Sequence, residues 1–331
     1  MAGAGIAPSG TFTGYAAIGE REDLQDIIYD ISPMDTPFMS NAGRGRASAV
    51  FHEWQTDELA AASATNAQLE GDDYSADTAT PTVRLGNYTQ ISAKAPRVTG
   101  TLRAVNTAGR RDELSYQIAK RGRELKRDIE SALLGAQAAT AGSAATSGAR
   151  TLAGMACWLW DNQVQKDGGT AATTPAVTSG APTTAPTSGS AATFVEADLK
   201  SIVKQCWDNG GNPTVIMAGS FNKQIASGFS GIGTQFRDVQ PSEVMPGSIV
   251  GAADIYISDF GQHQIVANRF MPTDDVYALD MEYFEVAYLR PIQQEDLAKT
   301  GDSDRKLLIA EYTLCAKEPK SSGKIYNVTT S

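Results

Sequence analysis

Apolar residues recur at helical spacing along one stretch of the chain more clearly than anywhere else. Leu114, Ile118, Leu125, Ile129, Ala132 and Ala136 follow one another at intervals of three, four or seven, while twelve charged residues fall between Arg110 and Glu130. This spacing gathers the apolar side chains on one face and leaves the rest of the surface charged, the pattern of a long helix with one narrow buried stripe. Extended over residues 101–139, such a helix would be roughly 58 Å long at the usual rise per residue. That is a strut rather than the wall of a pocket. Lys126 with Glu130, and Glu124 with Arg127, stand at the separations of helix-surface ion pairs.

A period of two marks two further stretches, residues 49–57 and 82–98. In the second, Val83, Leu85, Thr89, Ile91 and Ala93 share one parity, and Arg84, Tyr88, Gln90, Ser92 and Lys94 the other, as in a half-buried strand. Between the two lies a polar, alanine-rich tip, so together they read as a long hairpin. An isolated two-stranded ribbon is marginal in water and needs something to lie on. Upstream, residues 1–20 show no periodicity and read as an arm. Leu24, Ile27, Ile28 and Ile31 then predict a short helix, stopped by Ser32 and Pro33 and again by Pro37, with an extended connector after it.

Downstream, Leu152, Met155, Trp158 and Leu159 predict a core segment. Residues 166–193, dominated by Thr, Ala, Gly, Ser and Pro, read as a surface insertion with little to bury. A second block begins at Phe194: a helix carrying Val195, Leu199, Ile202, Val203, Cys206 and Trp207, a DNGGNP turn, a buried strand over residues 214–218, and a helix over 221–229 with Ser220 as its cap. Strands are predicted over 253–258, 264–267, 276–279, 283–289 and 306–314, the last three closing the chain as an antiparallel sheet. The fold class is α+β, with no repeated βαβ unit.

Composition narrows the functional classes. The chain has 331 residues, 41% apolar and 20% charged, with a formal charge of -10. This argues against a surface that wraps nucleic acid tightly, which needs a basic footprint. No run of apolar residues is long enough for a membrane span. The first residues lack the basic start and apolar centre of an export signal, so a cytoplasmic site of synthesis and assembly is expected. Cys157, Cys206 and Cys315 are widely spaced beside large apolar residues and predict buried, reduced thiols.

Candidate chemistry is sparse. His52 and His263 occur in segments of different character. His52-Glu53 opens like a zinc-protease motif, but position 56 is Thr where that motif requires the second histidine. Ser220-Phe221-Asn222-Lys223 followed by Lys299-Thr300-Gly301 reproduces two of the three elements of penicillin-binding serine enzymes; the third is missing, and helix capping accounts for Ser220. Asp72-Asp73, Asp274-Asp275 and Asp302 with Asp304 lack the spacing of a calcium loop. No catalytic residue, cofactor site or metal site is therefore assigned.

Several long stretches nevertheless carry a resemblance: EDLQDIIYDISPMDTPFMS, HEWQTDELAAA, TPTVRLGNYTQIS, AGRRDELSYQIAKRGRELKRDIESALL, QCWDNGGNPTVIMAGSFNKQ and YLRPIQQEDLAKTGDSDRKLLIAEYTL. From about residue 22 onward the chain resembles the major capsid proteins of tailed phages with the Hong Kong 97-type fold, in the SU-ten-like branch. The resemblance implies an N-terminal arm over 1–46, an extended loop hairpin over 47–100, a peripheral domain with its spine helix over 101–161, an axial domain over 194–275 and return strands over 276–331, while the surface insertion, placed over 162–193, is where the chain departs from the family pattern. It also implies hexamers and pentamers in an icosahedral head enclosing double-stranded DNA without sequence-specific binding. The partners implied are further copies of the chain, with scaffolding, portal and decoration proteins as others, and no membrane. On position and charge, Glu53, Trp54, Asp57, Glu58, Arg84 and Arg97 are the hairpin residues expected at subunit contacts, with Arg121, Arg123, Lys126 and Arg127 as counter-charges on the spine. The competing readings are an encapsulin-like shell protein and, much further off, a serine hydrolase using Ser220, Lys223 and Lys299.

Overall fold

The structure is a computed structural model that describes residues 34–71, 73, 78–105, 111–145, 148–169, 173–229 and 254–330. The arm over 1–20 and the helix expected over 22–31 lie outside the described residues. In chain order the first elements are α1 (Pro37–Asn41), β1 (Gly43–Arg46), β2 (Phe51–Thr56), β3 (Val83–Tyr88), β4 (Gln90–Lys94), β5 (Arg97–Thr99), α2 (Gly100–Ala104), α3 (Glu113–Leu134), α4 (Met155–Trp158) and β6 (Asn162–Gln165). There follow α5 (Glu196–Asp208), β7 (Val215–Ala218), α6 (Ser220–Ser227), β8 (Ile255–Ser258), β9 (Gly261–Ala267), β10 (Asp275–Leu279), β11 (Phe284–Asp296), β12 (Ser303–Ala316) and β13 (Gly323–Tyr326).

The spine helix is shorter than its charge pattern suggests. α3 has 22 residues, about 33 Å. Asp112 starts it, its carboxylate accepting from the amides of Leu114 at 3.3 Å and Ser115 at 3.2 Å. Gly135 ends it in extended backbone, so Ala136 falls outside the helix and is exposed. Upstream, α2 is a separate turn capped by Thr99. The buried face is Leu114, Leu125, Ile129, Leu133 and Leu134, and it also includes Glu130. At the other end of the described chain, Pro37 opens α1 instead of stopping a helix, because its fixed φ suits the first helical position.

Three sheets organise the strands. A mixed sheet runs β1-β11-β12-β4, with β5 also on β12; β1 lies parallel to β11, and β11, β12 and β4 are antiparallel. A six-stranded sheet runs β6-β13-β10-β7-β9-β8, with parallel pairs β13·β6 and β7·β9. β2 and β3 form the two-stranded ribbon. Of the three strands expected to close the chain together, only β11 and β12 pair. A short 3-10 turn, Met281–Tyr283, separates β10 from them, and β10 joins the other sheet. The expected boundaries at 162 and 276 therefore cut through one sheet, since β6, β10 and β13 are all built into it. The expected strand over 82–98 breaks at Thr89, whose amide bonds to Val50 at 2.8 Å. Beyond the break the chain pairs with β12, leaving Ile91 exposed on the parity that carries buried Leu85 and Thr89.

Two apolar clusters result. One gathers Leu125, Ile129, Leu133, Trp158, Phe284 and Tyr312 around α3; the other gathers Leu199, Ile202, Cys206, Tyr256, Ile265 and Ile325 against α5. β10 and β7 serve both, with Val276, Ala278, Ile216 and Ala218 facing one cluster and Tyr277, Leu279, Val215 and Met217 the other. The cysteines are free and buried, and burial pushes the thiols up, Cys157 to about 11 and Cys206 and Cys315 to about 12. At α6, Ser220 is the exposed first helical residue rather than the cap, which is Gly219.

Candidate assembly surface

The ribbon is a register-matched hairpin, Phe51 opposite Tyr88 through Thr56 opposite Val83. Alternation divides its two faces. On one, Trp54 turns inward and its ring lies 5.3 Å from that of Trp158. On the other, Arg84 and Glu53 pair at 3.0 Å in the open. The rings of Phe51 and Tyr88 meet at the base, tilted, with centroids 4.7 Å apart. The inner end of the ribbon is thus held by its own chain, a support that the hairpin pattern alone does not reveal. Beyond Thr56 and before Val83, every described residue is exposed, Leu59 at 99% and Leu69 at 72%. Glu58 pairs with Lys320 where the tip leaves the body.

A cavity of about 170 Å³ lies at this root, between Thr56, Glu58, Val83 and Leu85 of the ribbon and Trp160, Asp161, Val177 and Lys320 of the body. Burial raises the Asp161 carboxyl to about 6, against the lowering effect of Lys320 and with the help of Glu58 and Glu318. The root is therefore electrostatically tense, with one cation, Lys320, serving several acidic groups.

The remaining residues expected at contacts are dispersed. Asp57 is exposed and accepts from the Glu58 amide at 3.0 Å. Arg97 donates to Ser303 at 2.9 Å. On α3, Arg121 pairs with Glu124 at 2.5 Å, Arg123 and Lys126 are exposed, and Arg127 lies over the Phe270 ring at 5.3 Å. The pairing expected between Lys126 and Glu130 does not form, because Glu130 points into the core. Its Oε1 accepts from the Phe38 amide at 2.7 Å and from Asn268 Nδ2 at 2.8 Å, and its Oε2 from the Met39 amide at 2.9 Å. Sequence reasoning placed Glu130 among the surface charges. Its separation of four from Leu134 was the available signal that it shares the buried face.

The residues of the hydrolase pattern do not converge. Lys223 Nζ donates to the Ile265 carbonyl at 2.7 Å and pairs with Asp254 at 3.1 Å, while Lys299 pairs with Asp304 at 2.5 Å at the start of β12. His263 braces the β8–β9 turn, Nε2 meeting Ser258 at 2.7 Å and Nδ1 the Pro213 carbonyl at 2.5 Å, and burial lowers its pKa. Among the described residues no cluster of three His, Cys, Asp or Glu is placed to hold a metal, and no helix is long and apolar enough to cross a membrane.

Known proteins share both the sequence and the architecture. The SU10 major capsid protein family matches residues 7–329. A major capsid protein of Escherichia phage Phieco32 is 29% identical over 344 aligned residues, covering 95% of this chain and 96% of that protein. The fold superposes on the Cyanophage A-1(L) capsid with a TM-score of 0.60 at 12% identity, over 96% of this chain and 99% of that one. It superposes on a protein of Microbacterium phage Oxtober96 with a TM-score of 0.58 at 12% identity, over 93% and 95%. The holo-SrpI encapsulin complex of Synechococcus elongatus PCC 7942 gives 0.54 at 12% identity, over 96% and 94%, a likeness of fold alone. With the family matched over residues 7–329 and the spine, ribbon and paired sheets in place, the chain belongs to the SU10 major capsid protein family and is a tailed-phage major capsid protein of the Hong Kong 97-type fold.

Proposed function

We propose that the chain joins others of its kind in hexamers and pentamers that close into an icosahedral head around double-stranded DNA, assembled in the host cytoplasm. The observation that carries this reading is the ribbon tip, which leaves the body at Glu58 and whose described residues are all exposed, Leu59 at 99%. Laid on a neighbouring subunit, the tip would bury that surface. The unit built on α3 and the mixed sheet would form the peripheral domain, and the unit built on the six-stranded sheet the axial domain near ring centres. Glu53, Asp57, Arg84 and Arg97 are the ribbon-side contact residues in this reading, with Arg121, Arg123 and Lys126 offered by the spine. Scaffolding, portal and decoration proteins would be the other partners. The net charge of -10 fits a container for DNA that makes no tight wrap around it.

Contacts of about -4 kcal/mol each, only millimolar alone, suffice in such a lattice because each tethered subunit makes several of them. Their weakness lets a misplaced subunit leave. Electron microscopy of the purified chain tests the proposal. Hollow particles, or isolated five- and six-membered rings, are expected; a species that remains monomeric at high concentration would overturn it.

A further inference from the structure

We propose that residues 173–193 are an intramolecular strap that fixes the direction in which the ribbon leaves the subunit. β3 pairs with β2 along one edge, which leaves its other edge open to a third strand. The strap fills that edge at a single point. The Gly86 amide donates to the Gly180 carbonyl at 3.0 Å, and the Gly180 amide donates back to the Arg84 carbonyl at 2.9 Å. A two-stranded ribbon is marginal where a three-stranded one holds its shape, so this paired bond adds a third strand's support at the root, where the ribbon leaves the body. Gly180 makes the exchange with φ at +69°, a left-handed conformation that favours glycine.

The strap is itself anchored, which lets it bear load. Two residues beyond the contact, the Pro182 carbonyl accepts from the Ala139 amide at 2.7 Å, just past the end of the spine helix. Val177 is buried in the core that contains α3. The neck is closed by reciprocal bonds between Thr173 and Thr187, at 3.0 and 2.8 Å. Below it, Asn327 donates to the carbonyls of Lys166 and Ser190, both at 2.6 Å, and accepts from the Gly189 amide at 3.1 Å. A segment whose composition offers little to bury is thus held by backbone pairing at its neck and at its point of contact. The ribbon root is gripped twice by its own fold, on one face by Trp158 against Trp54 and along the edge of β3 by Gly180. The consequence for assembly, that the tip arrives at a neighbour in one orientation, rests on the function proposed above; the strap does not.

Hydrogen exchange on the isolated subunit tests it. In the wild type, the Gly86 and Gly180 amides are expected to exchange together, since the two bonds open as one; fast exchange at Gly180 with Gly86 still slow would overturn the proposal. Gly180→Pro removes the donor and cannot adopt positive φ, and should speed Gly86 exchange at least about tenfold. A second variant replaces residues 174–186 with a short Gly/Ser link between Thr173 and Thr187, and keeps the test open if Gly180→Pro does not fold. Unchanged protection of Gly86 in either folded variant would overturn the strap while leaving shell formation untouched. Failure of the wild type to assemble would instead count against the capsid function, with the strap still protected in exchange.

Discussion

Glu130 and Asp275 are carboxylates kept inside, and they behave differently from the many at the surface. Glu130 caps the start of α1 from outside that helix, accepting from two of its early amides and from Asn268. Glu130→Gln keeps the shape but offers one acceptor where two oxygens served three donors. It is expected to destabilise the fold by about 2 to 4 kcal/mol, read as a lower denaturation midpoint with unchanged slope. Asp275 meets the Tyr277 hydroxyl at 2.8 Å, and that hydroxyl lies 3.0 Å from the Leu134 carbonyl at the end of the spine. Burial raises the Asp275 carboxyl from its ordinary 3.8 to about 6, with Lys324 opposing. An acid whose folded value is raised favours folding below its unfolded value and loses that contribution as pH climbs through the folded one. The gap corresponds to about 3 kcal/mol, lost between pH 3.8 and about 6. Measured relative to wild type, Asp275→Asn should therefore gain stability by up to that amount as pH rises across this window. A constant difference at every pH would show that Asp275 carries no such load.

The elements separate what the chain's pattern reveals from what it hides. Periodicity in α3 shows the buried stripe, and Leu125, fully buried, is the clearest test of it. Leu125→Ala should cost about 2 to 5 kcal/mol, while Lys126→Ala next to it stays within about 0.5 kcal/mol, both by chemical denaturation. The helix ends were harder to see because charged residues continue past them, and only Asp112 and Gly135 mark where helical geometry starts and stops. β7, β8 and β9 were legible as short apolar runs between turns. β13 was not: Gly323, Lys324, Ile325 and Tyr326 do not alternate, since all four are buried and Lys324 finds the Ala156 carbonyl at 2.8 Å inside. The partner of β10 was likewise hidden, because local sequence records strand character but not which sheet a strand joins. At the candidate surface, parity put Arg84 on the polar side of its strand, but its pairing with Glu53 depends on the register of the hairpin, which the pattern does not state. Lys320 and Gly180 were hidden as well, since each lies far along the chain from the ribbon it holds.

For the whole molecule, the division of labour is between a body with two buried apolar clusters and a ribbon tip whose described residues are all exposed. Arg84→Glu sets two carboxylates side by side on the ribbon in place of a pair that is open to water. The subunit should lose less than about 1 kcal/mol of stability, because exposed pairs contribute little. Particle yield should fall much further, since every contact in a lattice repeats the defect. Thermal melting and microscopy of the same preparation check both halves, and intact shells at wild-type yield would remove Arg84 from the contact set. The sheet shared by the two apolar clusters has one more consequence. Like a bulkhead common to two holds, it lends one face to each cluster through β7 and β10. The shell proposed above would seat the same polypeptide at five-fold and six-fold positions. The compliance that this demands would then come from parts beyond both the shared sheet and the strapped root, so the curvature of the finished head would be written in the exposed tip of the ribbon.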